Sequence, residues 1–199
     1  MSSRAEHKRK TLLLLSEVAI AMCEEDGFGF TIEAVAARAQ VSARTVHRYV
    51  PAKEDLFFVH FRLAMQAFER ECARVHELEL MQRVWCGIDV VSAFLQEHEG
   101  VVRRALKQWL RHPELMRGYA VMFHGWVDLF TAEAAARGEG AMGALDARVF
   151  GCCLMGVIDA SMGEWVGAEG RARVVDLVEH NVARVPRFSG FHAPAMCDP

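Results

Sequence analysis

The sequence TIEAVAARAQVSARTVHRYVPAKEDL, residues Thr31–Leu56, decides the fold that we expect. Its first part reads as a short amphipathic helix, because apolar and polar side chains recur at helical spacing. Thr31 stands where an N-cap hydroxyl accepts a bond from a free backbone N–H, and Ser42 is placed to cap a second helix, Ala43–Tyr49. Gln40-Val41 makes the turn between them. This is the layout of a helix-turn-helix, whose second helix enters the major groove of DNA.

The chemistry of the second helix suggests how it would contact DNA. Arg44, near the helix N-terminus, suits a bidentate contact to a guanine edge. Arg48 and Lys53 suit phosphates, which set the register rather than read the sequence. The alternative for each residue is an exposed polar side chain that only meets water. The predicted DNA-binding residues are Thr31, Ser42, Ala43, Arg44, Thr45, His47, Arg48, Tyr49 and Lys53.

The stretch resembles the DNA-binding domain of the tetracycline-repressor (TetR) family. The matching positions are Thr31, Val35-Ala36, Ala39, Val41-Ser42, Thr45, Tyr49, Lys53-Glu54 and Leu56. It departs from the family pattern at Gln40 (usually Gly), His47 (usually Tyr), Val50 (usually Phe) and Ala52 (usually a small polar cap). A positive φ at Gln40 would cost a non-glycine residue roughly 1 kcal/mol. The first three departures change the turn and its packing, and none removes a DNA-facing charge.

The composition of the 199-residue chain favours an all-α fold, since 52% of its residues are apolar and few alternating runs are present. The formal charge is −3, so the chain as a whole is not a basic polyelectrolyte. Basic residues nevertheless cluster at Arg4 and Lys8–Lys10, which either contact the DNA backbone or form a solvated helix end. The six cysteines have no paired spacing and are expected as buried thiols, mostly on apolar helical faces.

The expected architecture is an N-terminal three-helix bundle with the helix-turn-helix, followed by a helical ligand-binding and dimerisation domain. The predicted boundaries are residues 1–55, 56–185 and a loose tail at 186–199. Residues 1–5 are expected to form an arm, and the first helix to end at the Asp26-Gly27 signal. The later helices are predicted at residues 53–77, 81–97, 101–111, 114–137, 145–167 and 171–185.

Helix 114–137 carries two apolar stripes, which predict burial on most of its sides and a central position. The family resemblance implies a pocket for an apolar or amphipathic ligand. The predicted ligand-binding residues are Trp109, Met116, Tyr119, Met122, Phe123, Trp126, Met155 and Asp159. The alternative is that the apolar members are ordinary core, and that Asp159 is a satisfied or rim position. The C-terminal half is also loosely similar to the acyl-CoA-responsive and mycofactocin-regulator branches of the family.

The last two helices are expected, from the resemblance, to pair with their copies in a homodimer. Helix 145–167 has Cys152, Gly156 and Gly163 on one small-residue face, and close helix approach is expected to compensate for the low helix propensity of glycine.

The resemblance implies a ligand-responsive regulator, on family grounds a repressor, that binds palindromic operator DNA as a homodimer in the cytoplasm. Two alternatives remain open: a thiol-based redox-sensing DNA-binding regulator that uses Cys152 and Cys153, and a helical enzyme. The sequence has no GxSxG, HExxH or P-loop motif, so no enzyme activity is expected. No cofactor or metal is expected either. The apolar run Leu12–Leu15 is too short for the hydrophobic region of a secretory signal, so a helix rather than a signal peptide is expected there.

Overall fold

The computed structural model describes residues 3–135, 142–168 and 172–184, and within these ranges it contains helices and no strand. The α-helices are α1 (Ser3–Asp26), α2 (Ile32–Arg38), α3 (Ala43–Tyr49), α4 (Val59–Arg74), α5 (Leu80–Glu97), α6 (Glu99–Arg111), α7 (Met116–Ala135), α8 (Ala144–Gly167) and α9 (Val174–Ala183). Two 3-10 helices span Lys53–Phe58 and Pro113–Leu115. The predicted all-α fold is confirmed.

The chain forms two compact units. One comprises the described residues within 1–63 and 100–122, and the other those within 64–99 and 123–199. The first unit contains α1, α2, α3, the start of α4, α6 and the start of α7. The predicted functional boundaries at residues 55 and 185 stay predictions, and the predicted tail at 186–199 lies outside the described residues.

The end of α1 follows the predicted glycine signal. Gly27 has a φ of 75° and donates its N–H to the carbonyl of Cys23 at 3.0 Å, which closes the helix. The predicted arm at residues 1–5 is wrong in part, because α1 already begins at Ser3.

The core of the first unit forms where α1 packs against the 3-10 helix Lys53–Phe58. Leu15, Leu56 and Phe57 are fully buried there. His60 is also buried, and its Nδ1 lies 3.4 Å from the hydroxyl of Ser16.

The core of the second unit is aromatic. The ring of Phe68 on α4 meets Trp126 at 5.7 Å and Phe130 at 5.2 Å, both edge-on and both from α7. Trp165 on α8 is fully buried. Edge-to-face pairs of this kind add to the free energy gained by burying apolar area.

The prediction of one helix over residues 53–77 is wrong, because a 3-10 helix at Lys53–Phe58 precedes α4. Asp55 accounts for the tighter first turns. Its Oδ2 accepts the N–H of Ala52 at 3.2 Å, and its Oδ1 accepts from Arg62 at 2.7 Å. The segment therefore begins with a cap supplied from within its own first turn.

Helix 114–137 is also divided, into the 3-10 helix Pro113–Leu115 and α7. Pro113 occupies the first helical position, where the missing N–H of proline costs nothing. The expectation of burial on most sides is wrong for the start of α7, where Met116 is 50% and Val121 is 69% exposed in this chain. Burial is deep only further along, at Val127 and Phe130. The first turns of α7 therefore present apolar side chains to solvent.

Several helix boundaries differ from the predictions. The chain breaks at His98 rather than at Glu99-Gly100, and α9 begins at Val174 rather than at residue 171. The predicted end of helix 114–137 lies outside the described residues, and α7 ends at Ala135.

Gln40 has a φ of 56°, the backbone conformation in which glycine is favoured. We expect Gln40→Gly to raise the free energy of unfolding by about 1 kcal/mol, because glycine pays no Cβ penalty there. Thermal denaturation measures this gain. Gln40→Ala keeps the Cβ and is the matched control, so an equal gain in both variants would contradict the explanation.

Candidate nucleic-acid interface

Two hydroxyl caps set the beginnings of α2 and α3. The Thr31 hydroxyl accepts the N–H of Ala34 at 3.2 Å. The Ser42 hydroxyl accepts the N–H of Thr45 at 3.2 Å and lies 2.8 Å from the Thr45 hydroxyl. Both predicted caps are confirmed, and α3 has the predicted bounds. Whether either hydroxyl also contacts DNA stays a prediction.

The helix α3 has one buried side and one exposed side. Val46 is fully buried and Val50 is nearly so, which anchors α3 in the first unit. Arg44, His47 and Arg48 are exposed. Arg44 makes no hydrogen bond or ion pair with any residue that the structure describes, so its guanidinium is available to a partner outside the chain. Ala43 and Thr45 are half-buried beside it.

The side chain of His47 contacts α2. Its Nε2 lies 3.1 Å from Oε1 of Glu33, and both side chains are more than half exposed. The contact joins the first and second helices of the helix-turn-helix on their solvent side. Sequence reasoning placed His47 among the DNA contacts but did not identify Glu33.

Tyr49 brings basic groups from two helices together. Arg48 donates to the Tyr49 hydroxyl at 3.0 Å, and its guanidinium lies 4.7 Å from the centre of the Tyr49 ring. The Lys8 ammonium, from the first turns of α1, lies 5.5 Å from the same ring. Cation–π contacts of this kind are modest at exposed sites. They nevertheless place a basic residue of α1 beside α3.

Lys53 makes its contacts inside the first unit. Its ammonium donates to the carbonyls of Phe28 at 2.6 Å and Phe30 at 3.1 Å. The same ammonium lies 4.4 Å from the Phe28 ring centre and 5.2 Å from that of Phe30. Lys53 therefore fixes the loop between α1 and α2, which is a role that the sequence did not reveal. Its predicted phosphate contact stays a prediction.

We expect Lys53→Met to lower the free energy of unfolding by about 1 kcal/mol, because it leaves two half-buried carbonyls without their charged donor. Methionine keeps most of the length of the side chain. Denaturant unfolding measures the loss, and Lys10→Met on the exposed side of α1 is the control. An equal effect of both changes would contradict a structural role for Lys53.

The acidic residues at the end of α1 are paired with basic ones. Arg38 donates to Glu25 at 2.6 Å, and this hydrogen bond holds the pKa of the Glu25 carboxyl below its usual value. Arg104 on α6 pairs with Glu24 at 2.6 Å. These carboxylates are thus partly neutralised within the first unit, which reduces their repulsion of a polyanion.

The predicted ligand-binding residues fall in both units. In the first unit, the buried Trp109 ring lies 4.7 Å from Phe58, 4.6 Å from Phe61 and 5.7 Å from Tyr119, between ring centres. Phe58 and Phe61 were not predicted, because only the fold brings the 3-10 helix Lys53–Phe58 and the start of α4 against α6. No acceptor for the Trp109 indole N–H lies among the described residues.

The remaining predicted ligand residues differ in exposure. Met122, Trp126 and Met155 are buried, and Phe123 is half-buried. Met116 and Asp159 are exposed, so neither lies in the core of the described chain. Binding of a ligand by any of these residues stays a prediction.

The cysteines are divided between interior and surface. Burial raises the pKa of the Cys23 thiol and raises that of Cys72 to about 12, which makes both poor nucleophiles. Cys152 and Cys153 are exposed on α8, so the expectation of buried thiols is wrong for these two cysteines. Cys197 lies outside the described residues. Within the described ranges, no group of three His, Cys, Asp or Glu residues is placed to hold a metal ion.

By length and composition alone, α8 is apolar enough to cross a membrane. Core helices of soluble proteins have the same property, so this is weak evidence.

Comparisons with known proteins agree with this geometry. Residues 15–59 match the family model described as bacterial regulatory proteins, tetR family. The fold is similar to that of Thermus thermophilus FadR, a TetR family transcriptional repressor solved in complex with lauroyl-CoA. The TM-score is 0.56 and the identity 16%, over 96% of this chain and 98% of that one, so this likeness shows the fold. No curated protein matches the chain.

Proposed function

We propose that this chain, in which residues 15–59 match the tetR family model, is a ligand-responsive, cytoplasmic repressor of that family that binds a palindromic operator as a homodimer. The observation that carries the proposal is the exposed face of α3. It presents Arg44 without a partner in the described chain, at the start of a helix capped by Ser42. A guanidinium in that position suits the acceptor edge of a guanine in the major groove.

The surface of α8 supports dimerisation. One side of this helix is apolar or small along its whole length, yet it is exposed in the single chain, with Leu145 at 76% and Val149 at 52%. The further members of this exposed stripe are Cys152, Gly156, Ala160, Gly163 and Gly167. A Cβ built on Gly156, Gly163 or Gly167 meets no described atom within 4 Å. We propose that α8 and α9 of a second copy cover this stripe, since small residues permit close helix approach.

An apolar or amphipathic small molecule is the proposed ligand. FadR, whose fold this chain shares, was solved with lauroyl-CoA. The aromatic cluster around Trp109 supplies apolar surface of the matching kind in the first unit, and the buried Trp126 and Met155 do so separately in the second. In this proposal the protein has one state that fits the operator and one that does not. The ligand binds these two states with different affinity and thereby shifts the population between them.

Selection of bound sequences from random duplex DNA, with the full chain, tests the proposal. The expected result is an enriched sequence with two inverted half-sites whose centres are about one helical turn, or a multiple of it, apart. Equal affinity for the enriched and the random duplex at the same salt concentration would refute specific operator binding.

Arg44→Ala is expected to weaken binding to the enriched duplex by about 1–3 kcal/mol per contact and to relax the preference at one base pair of each half-site. Fluorescence anisotropy against the enriched and random duplexes measures both effects. Arg70→Ala removes an exposed arginine from α4 and controls for the loss of charge. If both variants lose the same affinity on both duplexes, Arg44 does not read a base.

The exposure of Cys152 and Cys153 favours one second candidate, a regulator that senses oxidants through these thiols. Operator binding would then change on treatment with hydrogen peroxide in the unmodified protein but not after replacement of both cysteines by serine. Identical binding by both proteins, with and without oxidant, would eliminate this candidate.

A further inference from the structure

Glu33 is a fixed, ionised hydrogen-bond acceptor next to α3. It lies in the first turn of α2, where free backbone N–H groups favour a negative charge. Its own backbone N–H is the main cause that holds the pKa of its carboxyl below the usual value, and the hydrogen bond with His47 is the next. A carboxylate has no proton to donate. In the contact between Glu33 and His47, the imidazole must therefore be the donor.

This contact assigns a role to each imidazole nitrogen. Nε2 of His47 lies 3.1 Å from the Glu33 oxygen and carries the donated proton. In the neutral imidazole one nitrogen is a donor and the other an acceptor, so Nδ1 offers a lone pair. No residue in the described part of the chain donates to Nδ1, and half of the side chain is exposed.

We propose that Glu33 sets the tautomer of His47, so that His47 Nδ1 accepts a hydrogen bond from an exocyclic amino group of adenine or cytosine in the major groove. The inference rests on the proposed DNA binding. Arg44 on the same helix supplies only donors and suits guanine. The exposed side of α3 thus carries Arg44, which donates hydrogen bonds to a base, and His47, which accepts one. Glu33 is a positioning residue that acts through His47.

Reversing the charge of residue 33 gives the most discriminating variant. In Glu33→Lys the ammonium can only donate, so His47 Nε2 becomes the acceptor and Nδ1 carries the proton. His47 would then suit the acceptor groups of guanine or thymine. Gln40→Lys adds a cation to the exposed turn between α2 and α3, seven residues from Glu33, and is the control for charge. An added cation alone strengthens binding to all sequences alike.

Nuclear magnetic resonance of the full chain at pH 8, without DNA, tests the tautomer. Long-range ¹H–¹⁵N correlations distinguish the two tautomers, and His47→Phe identifies the His47 signals by their disappearance. We expect the Nε2–H form in the unmodified protein and in Gln40→Lys, and the Nδ1–H form in Glu33→Lys. A predominant Nδ1–H form in the unmodified protein, or the same tautomer in all variants, would overturn the inference.

Selection from random duplexes at pH 8 tests the reading of the base. The base pair that loses its preference in His47→Phe is the one that His47 reads. The unmodified protein should prefer adenine or cytosine there by about threefold to tenfold, the value of one net hydrogen bond. Glu33→Lys should change this preference to guanine or thymine, and Gln40→Lys should not.

The failures of the two ideas are distinguishable. Enrichment of a sequence with no position that depends on His47, or with guanine or thymine at that position, would overturn the inference and leave operator binding intact. An unmodified protein that enriches no sequence would overturn the proposed function, whereas the tautomer measurement needs no DNA and would still report on Glu33.

Discussion

Replacement of Gly151 by alanine is expected to lower the free energy of unfolding by about 2 kcal/mol and the Tm by roughly 4–8 °C. An ideal Cβ on Gly151 would lie 2.7 Å from the carbonyl oxygen of Val127 and 3.2 Å from the backbone N of Thr131. Both atoms belong to the backbone of α7, which cannot move aside without disturbing its own hydrogen bonds. Overpacking therefore outweighs the gain of about 1 kcal/mol in helix propensity that alanine brings.

Gly100→Ala is the matched control, because Gly100 is an exposed helical glycine whose Cβ would meet no described atom within 4 Å. That variant is expected to be neutral or slightly stabilised. Thermal and denaturant unfolding of both variants measure the difference. Equal stability of the two would show that α8 can withdraw from α7 at negligible cost, contrary to the close approach seen at Gly151.

Local signals in the sequence were sufficient to predict the helix-turn-helix. Ser42 and Thr31 cap their helices through hydrogen bonds within a few residues, and such short-range chemistry is readable from the sequence. The positive φ of Gln40 was also predictable, because a tight turn between two helices demands it. For this reason α3 was predicted with its correct ends.

The contacts between helices were not predictable. Glu33 and His47 are 14 residues apart in the sequence, and their pairing depends on how α2 and α3 are rotated against each other. The same holds for Lys53, whose two carbonyl acceptors belong to a loop 23 and 25 residues earlier. Charge and side-chain length marked Lys53 as a possible phosphate ligand, but they did not show that its ammonium has acceptors within the chain.

The glycines of α8 also show that contacts between helices were not predictable from the sequence. The sequence suggested that Gly156 and Gly163 permit a close helix approach. Within the described chain it is Gly151 that lies against α7, and Gly156 and Gly163 are open. Helical periodicity shows which residues share a face, but it does not show which face meets another helix of the same chain.

The second large effect is expected from Gly156→Glu, which places a charge in the exposed stripe of α8. In the isolated chain this change is tolerated, because no described atom lies within 4 Å of a Cβ at residue 156 and glutamate is a better helix former than glycine. In the proposed dimer the same side chain would place a charge in an apolar contact between copies of α8, where it has no partner. We expect a folded monomer with unchanged helical circular dichroism.

Light scattering distinguishes a dimer from the 22.3 kDa chain, and anisotropy with a duplex of two half-sites measures the consequence for DNA binding. Loss of the second recognition helix removes the advantage of simultaneous binding, so affinity for that duplex should fall by about 100-fold or more. Affinity for a single half-site should change little. Gly100→Glu adds the same charge at another exposed helical glycine and should leave both mass and affinity unchanged. A Gly156→Glu protein that remains dimeric would place the dimer interface elsewhere, because an interface over this stripe has no room for a buried carboxylate without a partner.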